Sequence, residues 1–395
     1  MKQLALSILL LVQLTAAAQF QVYHRDTLVI DSTVYPELSV IDLQVPDVLR
    51  YAEGASYKMP LIILFDRQNA STYEYNLSTI NYLTGAGGQM PPVISAGIEF
   101  PQETRLAMTR ADLPDENGET GTQRTARYLF TEVIPAIKAR YPGITDIIIV
   151  GHSRTAHLVN WLAIHEHQRF HAALSFSGFI EEATDWDAFE ALARTPMKRP
   201  FHFCFTAGES YEEVTYLDDC QRMDSILSKK PAESLLAHRF TTNLHANHIT
   251  NYGMSFAQSM IYLFGDYSQL LGKWFFERIK TLNPAEAIKV YREELAAMNF
   301  RFSPSDTHMY SLGSQFLFEK PDAQAIRDFM RYGLSAMPKD PGLWLFLAEA
   351  SSLDGNETEK AKAIEGYHEA MKKVKGLTAE EREDLSNWYL ELTAP

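Results

Sequence analysis

Apolar residues along this chain fall into short unbroken runs, separated by stretches whose apolar positions recur with a helical period. Leu61-Ile62-Ile63-Leu64-Phe65, Ile147-Ile148-Ile149-Val150 and Phe201-His202-Phe203-Cys204-Phe205 are apolar or nearly so throughout and end at loop-forming residues. Weaker runs lie at Val93 to Ile98, His171 to Phe176 and His238 to Thr242. Between them, helical spacing spans Tyr73 to Leu83, Thr122 to Tyr141, Ala156 to His165, Glu213 to Leu227 and Thr250 to Phe264. Strands without polar alternation, alternating with helices, predict a mostly parallel sheet covered on both faces. Leu28 to Val45 alternates more and predicts antiparallel strands at one edge. The expectation is an α/β domain ending near Phe264, followed by an all-α region.

Beyond Gly265 the strand signal stops and helical spacing continues to the C-terminus. Met309, Leu312, Gly313 and Phe316 match Trp344, Leu347, Ala348 and Ser351 at an offset of 35 residues. Ala325, Phe329 and Tyr332 match Ala363, Tyr367 and Ala370 once three inserted residues are allowed near Asn356. Two-helix units of about 34 residues with large and small residues so spaced are tetratricopeptide-like. Plain helical hairpins are the alternative. Two units fall short of the roughly three that a free-standing array needs, so this tail is expected to pack on neighbouring helices or on the sheet domain.

Met1 to Ala18 has another pattern: Lys2, an apolar stretch from Leu4 to Leu14, then Ala16-Ala17-Ala18. That order reads as a secretory signal peptide, too short in its apolar part for a membrane span. The expected organisation is therefore a signal peptide over 1–18, an α/β domain over 19–265 and a helical, tetratricopeptide-like domain over 266–395. The exported product is expected in the periplasm or outside the cell, with no transmembrane segment.

Composition narrows the chemistry. The 395 residues are 46% hydrophobic and 22% charged, enough for a sizeable core. With 50 acidic and 36 basic residues and a net charge of −14, nucleic acid is not an expected partner. Cys204 and Cys220 are the only cysteines, too few for a disulfide framework or a thiolate zinc cluster.

Gly151-His152-Ser153-Arg154-Thr155 follows the most apolar run and precedes a helix. A serine on such a strand-to-helix turn is exposed above the sheet, and the N–H of Arg154 points to where an oxyanion develops. Gly151 lets the turn close. Thr155 stands where a second glycine is usual, and Thr155→Gly is expected to be tolerated because it removes a crowding side chain. The base should follow in the chain with an acid between. Leu244-His245-Ala246-Asn247-His248 opens the last helix of the α/β region, and of its two histidines His248 lies nearer the helix. Glu209 is the first choice for the acid and Glu212 the second, because Ser210-x-x-Glu213 reads as a capping box that already employs Glu213. Arg67 or Gln68, after the first apolar run, is expected to add the second oxyanion N–H through its backbone.

At these residues the chain resembles the esterase D-like putative esterase family of α/β-hydrolases, which includes feruloyl and acetyl-xylan esterases and siderophore esterases. Leu61 to Asp66 resembles that family's strand ending in Asp-Gly, with Arg67 in place of the glycine. Ile94 to Ile98 with Glu103-Thr104-Arg105, Glu132-Val133-Ile134-Pro135-Ala136-Ile137, Gly151-His152-Ser153, Phe170 to Ser177 and His248 to Phe264 match further segments. The family's Gly-Gly after the nucleophile is Thr155-Ala156 here, and its Ser-Pro is Ser177-Gly178. The resemblance implies Ser153 as nucleophile and His248 as base. A carbohydrate-linked, feruloyl or siderophore ester is then the expected small-molecule substrate, cleaved without a metal or organic cofactor. The rival reading is a catalytically degenerate hydrolase fold that binds a protein partner through its helical tail.

Overall fold

A computed structural model describes residues 22–181 and 183–394. The leader expected over 1–18 lies outside them. Eight strands form one sheet: β1 Tyr23–Val29, β2 Val40–Pro46, β3 Met59–Leu64, β4 Ile94–Gly97, β5 Ile144–His152, β6 Ala172–Phe176, β7 Phe201–Gly208 and β8 Leu236–Asn243. Their order is β1-β2-β4-β3-β5-β6-β7-β8. β1 pairs antiparallel with β2 and β2 antiparallel with β4, whereas every pair from β4 to β8 is parallel. This is the α/β-hydrolase arrangement, with the antiparallel strands at one edge as their alternation foretold.

The central parallel strands are apolar on both sides because helices cover both. Helix α1 (Ala70–Thr84) and helix α6 (His248–Leu263) pack together on one face. Helix α2 (over 121–140), α3 (Arg154–His165), α4 (Ala183–Arg194) and α5 (Val214–Leu227) pack in succession on the other. Leu61, Ile62, Ile63 and Leu64 of β3 and Ile148 and Ile149 of β5 are completely buried between the layers. Each such side chain stabilises the fold by about 1.5–3 kcal/mol.

The tail is helical, as expected: α7 (over 265–281), α8 (Pro284–Ala296), α9 (over 306–319), α10 (Ala323–Ala336), α11 (Pro341–Leu353), α12 (Glu357–Lys373) and α13 (Ala379–Thr393). The two stretches that match at an offset of 35 residues fall on α9–α10 and on α11–α12. Contacts between tail and sheet lie where the parallel strands begin. Ser303 N–H donates to the Lys58 carbonyl (2.8 Å) just before β3, and Arg301 N–H donates to Asp146 Oδ2 (2.8 Å) near the start of β5. Arg50, after β2, pairs with Glu381 of α13. A cavity of about 910 Å³ lies at this junction, lined among others by His24, Arg50, Phe275 and His308. Because the elbow serine follows the opposite, C-terminal end of β5, the tail stands at the other end of the sheet from it. No helix among the described residues is long and apolar enough to cross a membrane.

Cys204 in β7 and Cys220 in α5 are free and buried. Burial pushes the Cys204 thiol up to about 12 and raises Cys220 as well. Neither is a thiolate near neutrality. Titration with a thiol reagent is expected to find essentially no reaction in the native protein and two thiols after unfolding without reductant.

Candidate functional site

Ser153 joins β5 to α3 with φ 57° and ψ −119°, a backbone conformation that L-residues adopt only under constraint. The constraint is visible. Ser153 N–H donates to the Phe176 carbonyl of β6 (2.9 Å), and the Ser153 carbonyl accepts from His157 N–H (3.0 Å) in α3. A Cβ on Gly151 would lie 2.4 Å from the Thr155 carbonyl oxygen, so the turn closes only over a glycine there. Arg154 is the first residue of α3, and its N–H has no carbonyl a turn earlier in the helix to meet.

Thr155 does not crowd the elbow; it ties it down. Its hydroxyl donates to Asp66 Oδ2 (2.7 Å) and accepts from His152 N–H (3.0 Å). Asp66, after β3, also receives both guanidinium arms of Arg105 at 2.7 Å and the Gln68 amide at 2.9 Å. The expectation for Thr155→Gly therefore reverses. The substitution removes a fully buried hydroxyl and places glycine in a first helical turn. It is expected to lower stability by about 1–3 kcal/mol, seen as a fall in the thermal unfolding midpoint.

His248 is the first residue of α6, fixed there by a reciprocal cap. The Asn247 side chain accepts from Ile249 N–H (3.1 Å) and Thr250 N–H (2.8 Å), and Thr250 Oγ1 accepts from Asn247 N–H (2.9 Å). The imidazole lies between two rings: Tyr216 of α5 is stacked at 4.8 Å between centroids, and His152 lies at 4.6 Å. Since His152 immediately precedes Ser153, this contact brings the His248 ring to the elbow. His152 Nε2 lies 2.8 Å from the His248 carbonyl oxygen. Burial, then the neighbouring His248 charge, lowers the His152 pKa to about 4. It is neutral at pH 7, with Nε2–H as the donor to that carbonyl.

The carboxylate on His248 is neither Glu209 nor Glu212. It is Glu213, which hydrogen-bonds Nδ1 through Oε1 and is completely buried. Glu209 Oε2 accepts from His245 N–H at 3.4 Å, and Glu212 Oε1 accepts from His248 N–H at 3.0 Å, so both meet backbone of the histidine loop. The capping box expected over Ser210–Glu213 is not formed: the Ser210 side chain makes no cap hydrogen bond. Instead a single 3-10 turn, Tyr211–Glu213, carries the carboxylate back under the sheet end. There Oε2 accepts from Gly208 N–H and Ser177 Oγ–H, each at 2.7 Å. Burial raises the pKa of Glu213, but hydrogen bonds from His248, Gly208 and Ser177 outweigh it and hold the carboxyl below its usual range.

Of the two backbone donors expected after β3, Arg67 is already engaged. Its N–H donates to the Ile98 carbonyl (3.1 Å), and its side chain donates to Glu99 (2.8 Å). Gln68 holds the loop through its side chain, accepting from Phe100 N–H at 2.9 Å. Arg154 extends its guanidinium to Glu181 (3.0 and 3.1 Å) and to Thr109 Oγ1 (3.1 Å). Among the described residues there is no group of three or more His, Cys, Asp or Glu side chains that could hold a metal ion.

Comparison with known proteins agrees with this fold. An uncharacterised protein from Capnocytophaga ochracea DSM 7271 superposes with a TM-score of 0.59 at 16% identity, over 94% of this chain and 100% of that one. An IroE-like serine hydrolase from Shewanella oneidensis superposes with a TM-score of 0.54 at 14% identity, over 80% of this chain and 98% of that one. At these identities the likeness is one of fold. No curated protein matches the sequence. The model of a family described as "Putative esterase" matches residues 41–244, which run from β2 to just past the end of β8. The chain belongs to that putative esterase family.

Proposed function

We propose that the chain is an exported serine esterase that cleaves a carboxylic ester through Ser153, His248 and Glu213. The observation that carries this reading is the buried Glu213 carboxylate on His248 Nδ1, beside a serine held at φ 57° on the β5–α3 elbow. In the proposed cycle His248 Nε2 takes the Ser153 proton as Oγ attacks the ester carbonyl. The N–H of Arg154, with that of Gln68 in place of the engaged Arg67, stabilises the oxyanion. His248 returns the proton to the departing alcohol. Water, deprotonated by His248, then attacks the acyl-enzyme, releasing the acid and restoring Ser153. Glu213 stays ionised throughout, orienting the ring and stabilising the imidazolium.

Carbohydrate-linked, feruloyl and siderophore esters, implied by the family resemblance, are the substrates to screen. The Met1–Ala18 pattern supports export, and the 35-residue spacing supports a tetratricopeptide-like tail open to a protein partner at the end of the sheet away from Ser153. Purified protein is expected to hydrolyse p-nitrophenyl acetate with turnover. Absence of hydrolysis of this and of the three ester classes by folded protein would favour the binding-protein reading.

A further inference from the structure

Ser177 stands directly after β6 with φ 50°, in the left-handed region where glycine would be less strained. It is completely buried, and its neighbour Gly178 fits only without a side chain: a Cβ there would lie 2.2 Å from Ser175 Oγ. The Ser177 hydroxyl donates to Glu213 Oε2 (2.7 Å) and accepts from Asn251 Nδ2 (2.8 Å) of α6. Asn251 is in turn fixed by Asn243, whose Nδ2 donates to its Oδ1 at 2.7 Å, and by Ser255, whose hydroxyl donates to its carbonyl at 2.6 Å. Asn251 lies one turn beyond His248 on the same helix. The ends of β6, β7 and β8 and the first turns of α6 are therefore joined by one hydrogen-bond network that runs through this hydroxyl.

We propose that Ser177 is a positioning residue of the esterase site: with Gly208 N–H it occupies Glu213 Oε2, so that Oε1 is presented to His248 Nδ1. This rests on the Ser153–His248–Glu213 reading. Two donors on one carboxylate oxygen fix the plane of the carboxyl group, and the chain Asn251–Ser177–Glu213–His248 closes on the helix that bears the base. Without the hydroxyl, the carboxylate keeps its charge but loses one of its two anchors. A serine in a left-handed conformation is then explained by its hydroxyl and not by its backbone.

The test uses the full chain and p-nitrophenyl acetate, with Ser177→Gly, Ser177→Ala and Ser153→Ala measured side by side. Ser177→Gly deletes the hydroxyl while relieving the positive φ, so its thermal midpoint is expected to fall less than that of Ser177→Ala. Its kcat is expected to fall about 10- to 100-fold at unchanged KM, the kinetic equivalent of one hydrogen bond to a charged group. Ser177→Ala should lose as much kcat while keeping the strain. Wild-type kcat in Ser177→Gly overturns the positioning role, and so does a loss confined to Ser177→Ala, which would mark backbone strain as the cause. If Ser153→Ala itself keeps wild-type turnover, the underlying site is wrong and the proposal falls with it. If Ser153→Ala is inactive while Ser177→Gly keeps wild-type kcat, only the proposal fails.

Discussion

Ser153→Ala and His248→Ala are each expected to lower kcat on the order of 10³-fold or more, and the double variant to be little worse than either. Non-additivity is the informative part. If Ser153 supplies the attacking oxygen and His248 removes its proton, deleting either destroys the same nucleophile, and the second deletion has nothing left to remove. Two residues acting separately would instead multiply their losses. Neither change should unfold the protein. Ser153 lies half-buried at a turn, and the His248 ring is a partly exposed slab between Tyr216 and His152. Steady-state kinetics on p-nitrophenyl acetate, with protein free of contaminating esterase, checks this. An additive double variant would show that the two residues do not form one unit.

Glu213→Gln is expected to lower kcat about 10²-fold or more, whereas Glu209→Gln should leave it within a fewfold of wild type. An amide keeps the shape of the carboxyl group but removes the charge that stabilises the imidazolium. It also sets donors against donors. If the NH₂ takes the place of Oε2, it faces the donors Gly208 N–H and Ser177 Oγ–H. If it takes the place of Oε1, it faces His248 Nδ1 and favours the wrong tautomer. Glu209 meets only a backbone N–H at 3.4 Å on an exposed loop, and such a contact contributes little. Comparing kcat for the two variants separates the candidates. The reverse ranking would return the acid to the loop directly after β7.

The sheet could be read from the chain because its central parallel strands are buried on both faces and so are written as unbroken apolar runs. The elbow could be read because it joins the most apolar of them to a helix. Glu213 could not, and the reason is local. Ser210-x-x-Glu213 satisfies the spacing of a capping box, and a spacing rule cannot tell a carboxylate that returns to its own helix end from one that turns inward on a 3-10 turn. A signal was available in Gly208: a Cβ there would lie 2.4 Å from the Ala246 carbonyl oxygen and 3.0 Å from Glu213 Cγ. A glycine ending an apolar strand marks close approach of other chain segments, here the loops of the acid and the base. Helix α4 was missed for a different reason. Its buried residues Trp186, Phe189, Leu192 and Ala193 form one narrow stripe within a polar stretch. Thr155 was misjudged because its value lies in Asp66, a partner 89 residues away that no local pattern reveals.

Covalent labelling with a fluorophosphonate, followed by peptide mapping, reaches the central claim most directly. Such a reagent phosphonylates only a serine whose proton is being removed and whose oxyanion is stabilised. The expected result is a single adduct on Ser153, abolished in His248→Ala and in unfolded protein. An adduct on another serine, or none on Ser153 in folded protein, would contradict Ser153 as the nucleophile.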